Sequence, residues 1–397
     1  MADRAVLAYS GGLDTSVTIR WLAERGFEVH AVAVDVGQQE DFAQIVERGQ
    51  LAGAASVQVI DAVDRFAAEY LTRAIKTNGM YEGKYPMVSG LARPCIAEEV
   101  IKAAREVDAS TVAHGCTGKG NDQVRFEVSF AVLAPDLTVL APIRDDAIPR
   151  EKAIALAGEW GIPVTTVATK YSIDENLWGR TAECGPLEDP WVAPPEDAFA
   201  RTAAPADRPS EPTEIVVSFD RGVPIALDGE PTALPEVIRG LDARAGRYGF
   251  GRIDMIENRR VGIKSRELYE VPGALSIIAA HRALEDLTLE RDLAHHKPGM
   301  EARWADLVYD GQWFSPLRRA IDAYVDQTQS HVTGDVRLRY EAGSCTVVGR
   351  RSEHSLYDLS LATYGAEDAF DQSDSRGYVT LYGLPLKVWS AKQRRGA

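Results

Sequence analysis

Through the first 170 residues, short apolar runs alternate with stretches whose apolar positions recur at helical spacing. The runs Ala5–Tyr9, Val29–Val34, Ser56–Ile60, Ser110–His114, Val139–Ile143 and Val164–Ala168 predict strands. Between them Thr15–Arg25, Asp41–Ala52, Val63–Lys76, Pro94–Val107 and Pro149–Trp160 predict helices. Strands separated by crossover helices build a parallel sheet with helices on both faces, so this part reads as a doubly wound α/β domain.

The pattern then changes. Six prolines between Pro190 and Pro212, among many alanines, break any period and predict a linker or an irregular surface crossing near a domain boundary. Beyond it TEIVVSF and VPIAL read as strands, and Asp228-Gly229 as a hairpin turn. Helices near Ala274–Leu287 and Pro316–Gln327 and strands through VRLRYEA and CTVVGR complete an α+β half. From about Tyr364 the chain has helical stretches and ends in VTLYGLPLKVWSAKQRRG, which is apolar for a chain end. Such a tail either packs on its own domain or is exchanged between subunits. No internal repeat is visible.

Composition adds limits. The chain has 397 residues, 45% hydrophobic and 26% charged, enough for two ordinary globular domains. A formal charge of −15, with no basic block beyond the short KQRR, argues against a nucleic-acid partner. Cys95, Cys116, Cys184 and Cys345 form no CxxC pair and read as reduced thiols. No signal-peptide pattern and no apolar run of about 18 residues is present, so the expectation is a cytoplasmic protein with no membrane contact.

Two turns carry candidate chemistry. AYSGGLDTS, Ala8 to Ser16, joins a predicted strand to a predicted helix. Ser-Gly-Gly permits positive φ and close approach to the main chain, and a helix start favours an anion by about 0.3 to 1 kcal/mol. Asp14, Thr15 and Ser16 read equally well as N-cap residues without a ligand. Neither GxxxxGK[ST] nor GxGxxG occurs here. The second turn, AHGCTGKGNDQVRFE, Ala113 to Glu127, also follows a strand and carries three glycines with Thr117, Lys119, Asn121, Asp122 and Arg125. A bare turn capped by Asn121-Asp122 needs neither the lysine nor so many glycines. Elsewhere the bland readings hold: His295-His296 lacks metal-ligand spacing, Cys116 lacks the surroundings of a nucleophile, Trp21 belongs to a core, and Glu257 to Arg260 is a solvated strand end.

SGGLDTS resembles the loop of the N-type ATP pyrophosphatases, usually SGGxDS, with Thr15 as an addition. AYSGGLDTS in full resembles that of the argininosuccinate synthase family. GKYPMVSGLARP (Gly83 to Pro94), YSIDENLWGRTAECGPLEDP (Tyr171 to Pro190) and GRIDMIENRRVGIKSRELYEVPG (Gly251 to Gly273) extend the resemblance, in order, over nearly the whole chain.

That resemblance implies an adenine nucleotide alpha hydrolase-like ATP-binding domain over 1–170, a synthetase domain over 171–363, and a helical oligomerisation segment over 364–397 of a homotetramer. It implies an ATP-dependent ligase that joins citrulline to aspartate and releases AMP and pyrophosphate, by way of a citrullyl-adenylate. Ala8, Tyr9, Ser10, Gly11, Gly12, Leu13, Asp14, Thr15 and Ser16 would hold ATP, with Val34 and Gly115 at the adenosine. Thr117, Asn121 and Asp122 would bind aspartate, and Tyr85, Asn121, Arg125, Ser172, Thr181, Glu257 and Tyr269 would bind citrulline. Asp122 is expected to act in catalysis, with Arg93 and Lys119 as cations meeting the phosphates on charge grounds. Mg²⁺ is expected with ATP; no carboxylate is assigned to it, Asp14 being a candidate by position. Two departures stand out: Gly90, preceded by Ser89, and Thr181 occupy positions where the family commonly has serine. A sulfur-transfer enzyme with the same loop would want a basic face and paired cysteines, and an ATP-sensing module would leave the Thr117 to Arg125 cluster idle.

Overall fold

The structure is a computed structural model that describes residues 3–163, 170–365 and 367–394. The predicted strand Val164–Ala168 lies outside the described residues. The chain divides into a unit over Met1–His354 and a second over Ser355–Ala397.

The first unit begins with β1 (Arg4–Ala8), α1 (Leu13–Glu24), β2 (Glu28–Asp35), α2 (Phe42–Leu51) and β3 (Ser56–Asp61). Next come α3 (Val63–Arg65), a π turn at Phe66–Leu71 and α4 (Thr72–Lys76), which together fill the predicted helix. There follow α5 (Val88–Glu106), β4 (Thr111–His114), α6 (Asp122–Leu133), β5 (Thr138–Leu140), α7 (Pro142–Asp145) and α8 (Arg150–Glu159). The five strands form a parallel sheet in the order β3-β2-β1-β4-β5. Successive side chains of a strand point to opposite faces. Val6 and Ala8 of β1 with Val32 and Val34 of β2 accordingly pack into one core, which includes α5. Ala5 and Leu7 with Val29, Ala31 and Ala33 pack into the other, which includes α1 and α8.

Two elements differ from the expectation. The strand predicted over Val139–Ile143 ends at Leu140, because Pro142 cannot donate to a ladder and instead opens α7. The helix predicted from Pro94 begins six residues earlier, at Val88, and runs through a buried Pro94 that forgoes one i→i−4 bond, to Gly90.

After residue 170 the unit adds β6 (Ser172–Asn176), β7 (Gly179–Glu183), β8 (Thr213–Asp220), β9 (Val223–Leu227), β10 (Glu230–Pro231), α9 (Leu234–Arg247), β11 (Arg252–Asn258), β12 (Lys264–Glu270), α10 (Pro272–Thr288), α11 (Arg291–Tyr309), α12 (Pro316–Thr328), β13 (Gly334–Glu341) and β14 (Ser344–Arg351). Two antiparallel sheets result, β10-β9-β8-β13-β14 and β11-β12-β7-β6. Asp228 and Gly229 both take positive φ (52° and 84°), as the tight hairpin between β9 and β10 requires. The proline-rich stretch crosses in short 3₁₀ turns.

In the second unit, α13 (Leu359–Ala362) precedes α14 (Asp374–Gln393), whose Tyr378, Leu381, Tyr382, Leu386 and Trp389 are exposed. No helix among the described residues is long and apolar enough to cross a membrane.

Candidate active site

Strand order reverses beside β1: β2 and β3 lie on one side of it, β4 and β5 on the other. Ligands of such sheets bind outside the carboxyl ends of the strands at this reversal. There the loop after β1 and the loop after β4 meet. Gly11 holds φ +73°, and a Cβ on it would lie 2.7 Å from Ile45 Cγ1 of α2. A Cβ on Gly115 would come within 2.8 Å of Thr15 Cγ2 and 3.1 Å of its backbone nitrogen. The glycines therefore let α2, the first loop and the second loop close on one another.

Gly12, not Asp14, Thr15 or Ser16, is the N-cap of α1, and no side chain caps that end. Thr15 Oγ1 and Ser10 Oγ face each other at 3.2 Å, while Ser16 turns inward to Tyr9 Oη at 3.3 Å. The capping alternative for the polar triplet falls away, and the positive end of α1 stands open to an anion. Asn121 likewise caps α6 without a side-chain bond, leaving Asp122 in the first helical turn.

A cavity of about 670 Å³ opens here. Its walls include the whole Ala8–Ser16 loop, Val34 and Gly115; Thr117, Asn121 and Asp122; and Tyr85, Arg93, Arg125, Ser172, Thr181, Glu257 and Tyr269. Lys119 is apart: its side chain is exposed and outside the lining, and its carbonyl accepts from Arg259 Nη1 at 3.0 Å.

Much of the charge in the cavity is paired. Arg93 gives Nε to Asp122 Oδ2 (2.9 Å) and Nη2 to Asp174 Oδ2 (2.7 Å), and Arg125 Nη1 meets Asp122 Oδ1 (2.8 Å). Burial alone would raise the Asp122 carboxyl; the two guanidiniums outweigh it and hold the group at about 2. Asp174 goes the other way, lifted by burial and by the nearby Asp122 charge. Arg259 bridges Glu183 and Glu267, and burial, with Glu183 and Glu257 nearby, pushes Glu267 up to about 9. Burial also drives the Cys116 thiol far above its ordinary range, which leaves it no nucleophile.

Tyr85 stacks on Tyr269 with ring centres 4.1 Å apart. Its hydroxyl lies 3.1 Å from Ser89 Oγ, which also accepts from Arg125 Nη1 at 3.1 Å. At Gly90 a Cβ would sit 3.7 Å from the Arg125 guanidinium without a clash, and it is Ser89, one residue earlier, whose hydroxyl meets that guanidinium. Glu257 is buried between two phenols, Tyr269 on Oε1 and Tyr309 on Oε2, the latter at 2.6 Å. Thr181 Oγ1 donates to the Asp174 carbonyl at 3.4 Å.

Sequence reasoning missed Arg48, Asp174, Arg259 and Tyr309. Arg48, on α2, donates to the Gly11 carbonyl, has a buried Nε without a partner and lines the cavity. Asp174 and Arg259 sit inside the matched stretches, but Asp174 pairs with Arg93, 81 residues away, and one of the two carboxylates on Arg259 is Glu183, 76 residues away, so the sequence does not announce these clusters. Tyr309 ends a helix and reads as core. Among the described residues no group of three or more His, Cys, Asp or Glu side chains is placed to hold a metal ion.

A solved structure titled as a predicted subunit of a tRNA methyltransferase from Methanocaldococcus jannaschii is 14% identical, covering 43% of this chain and 78% of that one at a TM-score of 0.29. A 4-thiouridine synthetase–RNA complex with bound ATP is 17% identical, covering 40% and 41% at a TM-score of 0.31. At these scores neither likeness bears on activity. Two family models match: the arginosuccinate synthase N-terminal HUP domain over residues 4–163 and the arginosuccinate synthase C-terminal domain over residues 171–389.

Proposed function

The chain belongs to the argininosuccinate synthase family, ATP-dependent ligases of arginine biosynthesis, and on that premise we propose that its cavity joins citrulline to aspartate through a citrullyl-adenylate. The observation that carries this reading is the convergence of an uncapped glycine loop with a carboxylate–guanidinium cluster and a buried glutamate in one cavity.

ATP lies with its phosphates on Ala8–Ser16 and its adenosine against Val34 and Gly115. Arg48 faces the phosphates, since Arg93 is already engaged by Asp122 and Asp174 and the exposed Lys119 side chain lies outside the lining. Mg²⁺ enters as part of the MgATP substrate, held by phosphate oxygens, with Asp14 the one carboxylate in the loop. Arg125 takes citrulline's carboxylate and Glu257 its ammonium, with Tyr85, Ser89, Asn121, Ser172, Thr181 and Tyr269 around the chain. The ureido oxygen attacks the α-phosphorus and pyrophosphate leaves. The aspartate amine, positioned by Thr117, Asn121 and Asp122, then attacks the activated carbon and AMP leaves.

Asp122 is suited to hold an ammonium, because a carboxylate held at about 2 is a poor proton acceptor near neutral pH. The amine proton leaves instead with the departing phosphates, the AMP monoester or pyrophosphate, whose oxygens are more basic than a carboxylate held so low. Positioning supplies much of the rate, since attack geometry alone accounts for roughly 7 to 11 kcal/mol in well-oriented reactions. We place the enzyme in the cytoplasm, as a homotetramer whose ATP-binding, synthetase and oligomerisation parts divide near residues 170 and 363.

The test is pyrophosphate release from MgATP with citrulline, with and without aspartate, following ¹⁸O from the ureido group. Label recovered in AMP, with turnover only when aspartate is present, is the expected result. Release that ignores citrulline would overturn the assignment.

A further inference from the structure

Tyr309, at the end of α11, is fully buried outside the cavity lining, yet it touches three groups that line it. Its backbone carbonyl accepts from Arg125 Nε at 3.2 Å. Its hydroxyl receives Asn121 Nδ2 at 2.8 Å and reaches Glu257 Oε2 at 2.6 Å. The proton order along this chain is determined. Asn121 Oδ1 accepts from the Arg260 backbone N–H at 2.9 Å, which fixes the amide so that Nδ2 points at the phenol. Since the phenol oxygen accepts there, its own proton goes to Glu257. Asn121 keeps one amide hydrogen for a substrate, and Glu257 has a phenol on each oxygen.

We propose that Tyr309 is a positioning residue that couples the two amino-acid subsites, aiming Glu257 at the citrulline ammonium and the remaining Asn121 amide hydrogen at aspartate. This rests on the substrate reading given above. The ring itself is independently held: it stacks on Tyr81 at 3.5 Å between ring centres and meets Tyr85 edge-on at 6.3 Å. Removing the hydroxyl alone therefore isolates the coupling from the packing.

Charged and titratable groups surround Glu257 on every side: Arg125 from α6, Glu183 from β7, Arg259 just past β11, Glu267 and Tyr269 from β12, Tyr309 from α11, and Tyr81 and Tyr85 ahead of α5. Burial raises the Glu257 carboxyl, and the Tyr309 bond, Arg125 and Arg259 pull it back down. Loss of the bond shifts it further up, so the carboxylate is lost at a higher pH.

The experiment uses the full chain carrying Tyr309→Phe. The KM for citrulline should rise about tenfold, the size of one lost hydrogen bond to a charged group, with the KM for ATP within about twofold of wild type. The acid limb of kcat/KM for citrulline should move to higher pH, a change that loosened packing would not produce. Glu257→Gln should abolish that limb, and adding Tyr309→Phe to it should leave the citrulline KM little changed. A Glu257→Gln enzyme that keeps the limb overturns the inference whether or not Tyr309→Phe folds. If wild type releases pyrophosphate with citrulline while Tyr309→Phe matches it in KM and acid limb, this inference alone fails. Wild type with no citrulline-dependent release removes both readings.

Discussion

Glu183 and Glu267 meet one guanidinium, that of Arg259, which lies 2.5 Å from Glu267. One positive charge is shared between the buried Glu267 and the half-buried Glu183, and Glu267, lifted to about 9 by burial and by Glu183 and Glu257, stays protonated near neutrality. An unfolded glutamate titrates near about 4.3. Between those values the folded chain holds a proton that the unfolded chain has released, so this residue makes stability fall as pH rises. Glu267→Gln should therefore flatten the dependence of Tm on pH between roughly 5 and 9, gaining on wild type at the alkaline end. Parallel curves in thermal melts would contradict the assignment. Asp122 has the opposite sign: its depressed carboxyl contributes stability above its usual titration range that is lost as pH falls toward 2.

At the scale of elements, the two strand-end loops act as one part. Gly115 carries no unusual torsion, so the barrier to a side chain there is contact with Thr15 rather than strain. Gly115→Ala should push the Thr15 turn of the phosphate loop outward and raise the KM for ATP about tenfold, a cost within the range of overpacking. ATP titration with citrulline saturating reads it, and an unchanged KM would separate the loops. These elements were legible in the sequence because β1, β2 and β4 are buried on both faces and appear as nearly unbroken apolar runs. The sheet β11-β12-β7-β6 was not. SIDEN in β6 carries Ser172, Asp174 and Glu175 to the cavity and RIDMIEN in β11 carries Glu257, polar residues that blur the alternation by which strands are recognised. Asp174 was hidden for that reason, and Tyr309 because a buried aromatic at a helix end looks like packing. The glycine turns were visible because a ligand needs main chain, and main chain that approaches closely leaves its mark as missing side chains.

For the whole molecule, the segment after His354 forms a unit of its own whose long helix leaves Tyr378, Leu381, Tyr382, Leu386 and Trp389 exposed. Scattered apolar surface is ordinary, but five large residues on one helix mark an interaction surface. Light scattering after size exclusion should give a tetramer for the full chain and a smaller species for one ending at His354; equal stoichiometry would remove the tail from assembly. Net charge acts at this scale too. At −15 the surface repels anionic substrates at long range, and attraction is confined to the cavity and its arginines.

Cys116 lies in the turn after β4 and lines the cavity, and burial and the Asp122 charge favour its protonated thiol. It is the thiolate that attacks peroxides and other electrophiles. The Cys116 sulfur, although it lines the cavity, is thus kept in its less reactive form.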